Sequence, residues 1–209
     1  MIFQDRREAG QKLAQQMQHL HHAKDTIILG LARGGVAVAA ELAESLHLPF
    51  DVLVVRKIGA PGNEELALGA VASVGEPVFN EHLIALLGVS PEYLKSSVER
   101  EREKIKQRLA LYLGGRKAPV LKGKTVVIVD DGIATGASMR AAIQAVRSEK
   151  PTKIILAVPV AAPDSLSALR SLVDETICLY SPSFFEAVGA FYKHFEQVSD
   201  EQVQNILEK

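Results

Sequence analysis

Val126-Val127-Ile128-Val129-Asp130-Asp131-Gly132-Ile133-Ala134-Thr135-Gly136-Ala137-Ser138 is the stretch whose reading decides the fold. Four β-branched residues run into two acids, and the acids run into a glycine-containing loop with two hydroxyls. The pattern predicts a buried parallel strand, a turn at its carboxyl end and a helix amino terminus. The two halves of the turn suit different ligand groups. Carboxylates repel phosphate, so Asp130 and Asp131 are expected to grip neutral hydroxyls, as on a ribose, or a metal. The amides of Ala134, Thr135, Gly136, Ala137 and Ser138, with the hydroxyls of Thr135 and Ser138, are expected to hold an anion. A ligand with a sugar diol beside a phosphate matches both halves. The plainer alternative is an Asp pair at a strand end, with Thr135 capping the helix. It explains Thr135 but not adjacent acids directly after four β-branched residues.

Outward from this run, short β-rich stretches alternate with amphipathic ones, which predicts an α/β fold with a mostly parallel sheet covered by helices. Strands are expected over 26–31, 50–55, 125–130, 153–158 and 175–179. Helices are expected over 5–22, 36–47, 137–148, 164–171 and 200–207. Residues 59–68, rich in Gly, Pro and Asn, read as a loop, and 70–73 with 77–79 as a hairpin about Gly75-Glu76. Residues 91–113 read as one long helix with Leu94, Val98, Ile105, Leu109 and Tyr112 on a stripe broken by Glu101 and Arg102. Pairs such as Glu101/Lys104 and Glu103/Lys106 have helical spacing. This helix is expected to pack on the domain with a solvated outer face; a dimer contact is the other reading. No repeat or clear linker divides the chain, so 1–209 is read as a single domain.

The 209 residues suffice for one sizeable core. A hydrophobic content of 47% and a charged content of 23% are those of an ordinary globular protein. A net charge of −1 argues against nucleic acid or an anionic membrane as partner. No apolar run is long enough to span a bilayer, and Met1–Gly10 lacks a secretory h-region. The single cysteine, Cys178, excludes an intrachain disulfide and reads as an inert thiol. A cytoplasmic location is expected. His19, His21 and His22 cluster near the end of the first helix and read as surface residues, since no Cys/His zinc spacing is present.

Other pieces fall on the same sheet edge, because ligands of open α/β sheets bind outside the carboxyl ends of the strands. Ala32-Arg33-Gly34-Gly35 follows the first strand; its glycines allow close approach of a ligand and Arg33 adds a permanent cation. Arg56-Lys57 follows the second strand, and two cations there could neutralise an anionic leaving group. No G-x-G-x-x-G and no P-loop lysine motif occurs, which disfavours dinucleotide and ATP sites. Six of the eleven aromatic residues lie between Tyr180 and Phe195. They are expected either to stack on a planar acceptor, with Phe184 the first candidate, or to pack a satellite core.

The Val126–Ser138 run resembles the phosphoribosyl-diphosphate (PRPP) motif of the type I phosphoribosyltransferases, and the whole chain resembles bacterial stand-alone proteins of that domain type. The resemblance implies a three-layer α/β/α sandwich with a small hood, for which 1–22 and 180–199 are candidates and 91–113 is an inserted helix. It implies transfer of ribose 5-phosphate from PRPP to a nitrogen acceptor, such as a nucleobase, with release of diphosphate. Asp130, Asp131 and Lys57 would be catalytic. Ala134, Thr135, Gly136, Ala137 and Ser138 would hold the 5-phosphate. Ala32, Arg33, Gly34, Gly35, Arg56 and Lys57 would hold the diphosphate, with a cis peptide in the 32–35 loop. Mg²⁺ would be carried by PRPP, with no direct protein ligand. The loop at 58–65 would be a flexible lid. Homodimers are common among such proteins. The alternative of another class is a regulatory module of the same fold that binds PRPP or a nucleotide and transfers nothing.

Overall fold

The computed structural model describes residues 1–116 and 118–208. Its centre is a five-stranded parallel sheet in the order β2-β1-β6-β7-β8, built from β1 (Thr26–Leu31), β2 (Phe50–Leu53), β6 (Thr125–Val129), β7 (Lys153–Val160) and β8 (Glu175–Tyr180). All six residues of β1 and all but the first of β6 and β7 are buried. These strands are apolar throughout because helices cover both of their faces. Ile27 and Ile28 of β1 lie in register with Val126 and Val127 of β6, the middle strand of the sheet.

One face buries α5 (Ala137–Ser148) and α6 (Pro163–Arg170) against Leu29, Ile128 and Leu156. The other buries α1 (Arg6–Gln16) and α2 (Gly34–Leu46) against Ile28, Val127 and Ile155. The three-layer α/β/α arrangement expected from the sequence is therefore the one found. Helices α1 and α2 run parallel. Arg6 meets Gly34 at their amino ends, and a Cβ on Gly10 would lie 2.7 Å from that of Glu41 midway. At their carboxyl ends the His22 amide donates to the Leu46 carbonyl at 3.0 Å. Both amino termini thus point to the strand edge where a ligand is expected.

A second, antiparallel sheet packs beside the first in the order β3-β4-β5, made of β3 (Val55–Ala60), β4 (Asn63–Ala72) and β5 (Val78–Phe79). The pairing of Gly69 and Ala70 with Phe79 and Val78 is the hairpin expected there. Residues 59–68, expected as a loop, are instead the turn and adjoining paired strands of the β3–β4 hairpin. Two glycines shape its tip. Gly62, at φ 74°, closes the tight turn after Pro61. Gly59 sits at an irregularity of the ladder where a Cβ would lie 2.6 Å from Glu64 Cα. Turn-forming composition marks a two-residue turn here rather than a long loop. Arg56 and Lys57, expected beyond the second strand as loop residues, are therefore inside β3.

Helix α3 (Glu81–Leu87), not assigned from sequence, is capped by Asn80, which accepts from the Leu83 amide at 3.1 Å. Helix α4 (Pro91–Leu113) has the bounds read from sequence, with Ser90 as cap, Pro91 in its first turn and Gly114 left-handed after its end. It lays Val98, Ile105 and Tyr112 on the second sheet and on α7 (Asp200–Leu207). Among the described residues no helix is long and apolar enough to cross a membrane.

Candidate active site

The loop after β1 and the loop after β6 touch. A Cβ on Gly34 would fall on Asp131 Oδ2, and one on Gly35 would lie 2.6 Å from the Val129 carbonyl oxygen. The two glycines are needed because no side chain fits between the loops. The Ala32–Arg33 peptide bond is cis. Beyond the acids, Gly136 at φ 74° turns the chain into α5. The helix amino terminus there leaves its first amides without a partner inside the helix, next to Thr135, Ala137 and Ser138.

The two acids differ in their partners. Asp130 Oδ1 accepts the Asp131 amide at 2.8 Å. Asp131 Oδ2 accepts from Arg6 Nε at 2.8 Å, across 125 residues of sequence. Arg6 is fixed in turn by a 2.9 Å bond to the Glu196 carbonyl and lies 4.0 Å above the Phe195 ring. The Tyr192 hydroxyl donates to the Asp131 carbonyl at 2.6 Å. Burial and the charge on Asp131 push the Asp130 carboxyl well above the usual carboxylate range. Burial also raises Asp131, against the pull of Arg6. A hollow of about 330 Å³ opens here, lined by Arg6, Arg33, Gly34, Asp131, Phe195 and Val198.

Arg56 and Lys57 face a second hollow of about 350 Å³, which also reaches Ser138 at the start of α5. Both cations are already engaged. Arg56 Nε bonds Glu101 Oε2 at 2.7 Å, and Lys57 Nζ bonds Glu65 at 3.2 Å. Glu101 is buried on α4 and also accepts from Arg100 at 3.2 Å and Lys104 at 2.8 Å. Burial alone would raise its carboxyl, but the bonds from Lys104, Arg56 and Arg100 outweigh burial and hold it at about 2. The residue that breaks the apolar stripe of α4 is thus the centre of an ion cluster.

The expected residues consequently divide between two hollows. Arg33, Gly34 and Asp131 line the first; Arg56, Lys57 and Ser138 line the second. Phe184 stands 81% exposed and lines neither. The neighbouring rings pack instead as a satellite core of Phe3, Phe185, Phe191, Tyr192 and Phe195. Strand-like pairing of Phe3 with Tyr192 ties the amino terminus to the segment after β8. Arg6, Phe195, Arg100 and Lys104 enter the hollows although no motif marks them. The aromatic clustering near the carboxyl end is the one sequence signal for Phe195. Arg6 has none, since its partner is remote in sequence.

Comparison with known proteins identifies the family. The chain belongs to the phosphoribosyl transferase domain family, whose model matches residues 3–194. It is 40% identical over 208 residues to a protein named "Putative phosphoribosyl transferase" in two strains of Mycobacterium tuberculosis, matching 100% of this chain and 47% of the relative. The chain therefore spans about half the length of these curated relatives. The crystal structure of TT1426 from Thermus thermophilus superposes with a TM-score of 0.87 at 43% identity, covering 99% of this chain and 98% of that one.

Proposed function

We propose that the chain transfers the ribose 5-phosphate group of PRPP to a nitrogen acceptor of the nucleobase class, releasing diphosphate. The observation that carries this reading is the contact of the Gly34-Gly35 loop with the Asp130-Asp131 turn, directly beside the anion loop at the start of α5. In this reading Asp130 and Asp131 accept hydrogen bonds from the ribose hydroxyls and favour the positive charge that develops on the ring. Ala134–Ser138 hold the 5-phosphate by backbone amides and hydroxyls. The 32–35 loop holds the diphosphate, and Arg56 and Lys57 offset its charge as it leaves. The segment 180–199, tied to the amino terminus through Phe3 and Tyr192, forms a hood that keeps water from the reacting carbon, while α1, also a hood candidate from sequence, serves as a layer of the sandwich.

Mg²⁺ fits as a companion of PRPP. Asp130 and Asp131 are hard oxygen donors, but one accepts the Asp131 amide and the other is held by Arg6, so phosphate and hydroxyl oxygens of the ligand would supply most of its coordination. When bound it would neutralise the diphosphate.

The test is calorimetric titration of PRPP with and without Mg²⁺, followed by diphosphate release over a panel of nitrogen acceptors. Asp130→Asn with Asp131→Asn is expected to weaken PRPP binding by two charge-assisted contacts, roughly 100-fold, in a folded protein. Unchanged affinity would remove the assignment of the ribose site. PRPP binding with no diphosphate release from any acceptor would leave a ligand-binding module and remove the transferase.

A further inference from the structure

Half of the six histidines converge on one spot, at the end of the α1–α2 pair opposite the candidate active site. His21 and His22 follow the helical turn after α1, and His47 caps the carboxyl end of α2. One ring nitrogen from each of the three lies within 4.8 Å of the others, and all three side chains are exposed. Their ring centroids stand 4.2, 4.8 and 5.1 Å apart.

The backbone beneath this cluster is locked. The His22 amide bonds the Leu46 carbonyl at 3.0 Å, so the two chain segments cannot separate without breaking main-chain pairing. His22 and His47 both adopt left-handed backbone, at φ 58° and 52°. Glycine or asparagine would take that conformation at less cost, and glycine is the common choice just past a helix end. Histidine at both places brings nothing to the caps themselves. What it adds is two imidazoles beside a third. His19, the remaining histidine of the segment, turns away to Glu175 at 3.5 Å.

We propose that His21, His22 and His47 form a binding site for a divalent transition-metal ion of the zinc type, which clamps the distal ends of α1 and α2. Three imidazoles suit Zn²⁺, with water in the fourth tetrahedral position. Zinc–nitrogen bonds of about 2.0–2.1 Å would set the nitrogens about 3.4 Å apart. Exposed rings can close the remaining gap by small rotations about their side-chain bonds while the main chain stays in place. The spacing escapes a search of the sequence because His47 lies 25 residues from His22 and is brought there only by the packing of α2 on α1. Since the other ends of these helices carry Arg6 and Gly34, the clamp would stiffen the frame that holds the Asp131 loop.

The experiment is titration of the tag-free full chain with Zn²⁺ against a chromophoric chelator, paired with thermal unfolding. One equivalent of Zn²⁺ is expected to bind. At about 100 times its Kd, Zn²⁺ should raise Tm by roughly 5–10 °C. His22→Asn and His47→Asn, which tolerate left-handed backbone, should each weaken Zn²⁺ at least about tenfold and cut the Tm shift at the same Zn²⁺ concentration to about half or less. His82→Asn, an exposed histidine on α3, should leave both readings unchanged. Absence of stoichiometric binding, or equal affinity in wild type and His47→Asn, would overturn the site.

Discussion

The two hollows treat the same kind of group in opposite ways. At the β1–β6 edge, half-buried carboxylates have few donors: Asp130 has one backbone amide and Asp131 one arginine, and both are pushed up. Over β3 and α4, Glu101 is more deeply buried but meets three cations and is held at about 2. Burial raises all three carboxyls; the count of donors decides the net direction. The first hollow therefore has acceptor capacity left for a ligand's hydroxyls. In the second, the cations are spent on protein acids, and an anionic ligand must compete for them.

Removing the centre of the second hollow should have the largest effect on stability. Glu101→Gln keeps shape and loses charge, leaving Arg56, Arg100 and Lys104 to repel one another. A loss of about 2–3 kcal/mol at pH 7 is expected in urea unfolding. The sign with pH follows from a folded value near 2 against 4.5 for the unfolded group. The contribution is complete above about pH 4.5 and fades as pH falls toward 2, so wild type and variant should converge on acidification. A gap that persists at low pH would mean that packing, not charge, is what Glu101 provides.

The first hollow depends on a single ion pair. Arg6→Ala strips Asp131 of its cation in a setting where the two side chains are only 13% and 14% exposed. A cost of about 2 kcal/mol is expected, less than for a fully buried pair. Adding Asp131→Asn should recover most of it, because no uncompensated charge then remains. Additive losses in the double variant would show that Arg6 acts through the Phe195 ring and the Glu196 carbonyl instead.

The difference between the hollows also explains what is legible in the sequence. The five parallel strands, α4 and the Asp130–Ser138 turn can be read because each is carried by local pattern: β-branched runs, a helical stripe with caps, acids directly before glycines. The β3–β4 hairpin reads as a loop because Gly59, Pro61 and Gly62 signal a turn without stating its length. Arg6 and Glu101 are not legible as partners of Asp131 and Arg56, since those pairs join residues 125 and 45 positions apart. In the sequence Glu101 shows as an interruption of the α4 stripe and as a helical-spacing partner of Lys104, but not as a partner of Arg56. Long-range charge pairing leaves no periodicity, and it is what distinguishes the hollows.

The smallest effect on stability should come from Lys57, and there the two roles proposed for the second hollow separate most cleanly. Its bond to Glu65 joins side chains that are 47% and 90% exposed, and ion pairs of that kind contribute little. Lys57→Ala and Glu65→Ala should each change unfolding free energy by less than about 0.5 kcal/mol. Their effects on PRPP should diverge. Losing the lysine removes a cation from the diphosphate and is expected to weaken PRPP about tenfold, a charge-assisted contact's worth. Losing Glu65 frees the same cation and should leave affinity equal or higher. Parallel losses of affinity in both variants would mean that the hairpin needs the pair intact to present its surface. The lysine would then be a structural element, and the contrast between a hollow short of donors and one whose cations a ligand must win from protein acids would fail at its most exposed point.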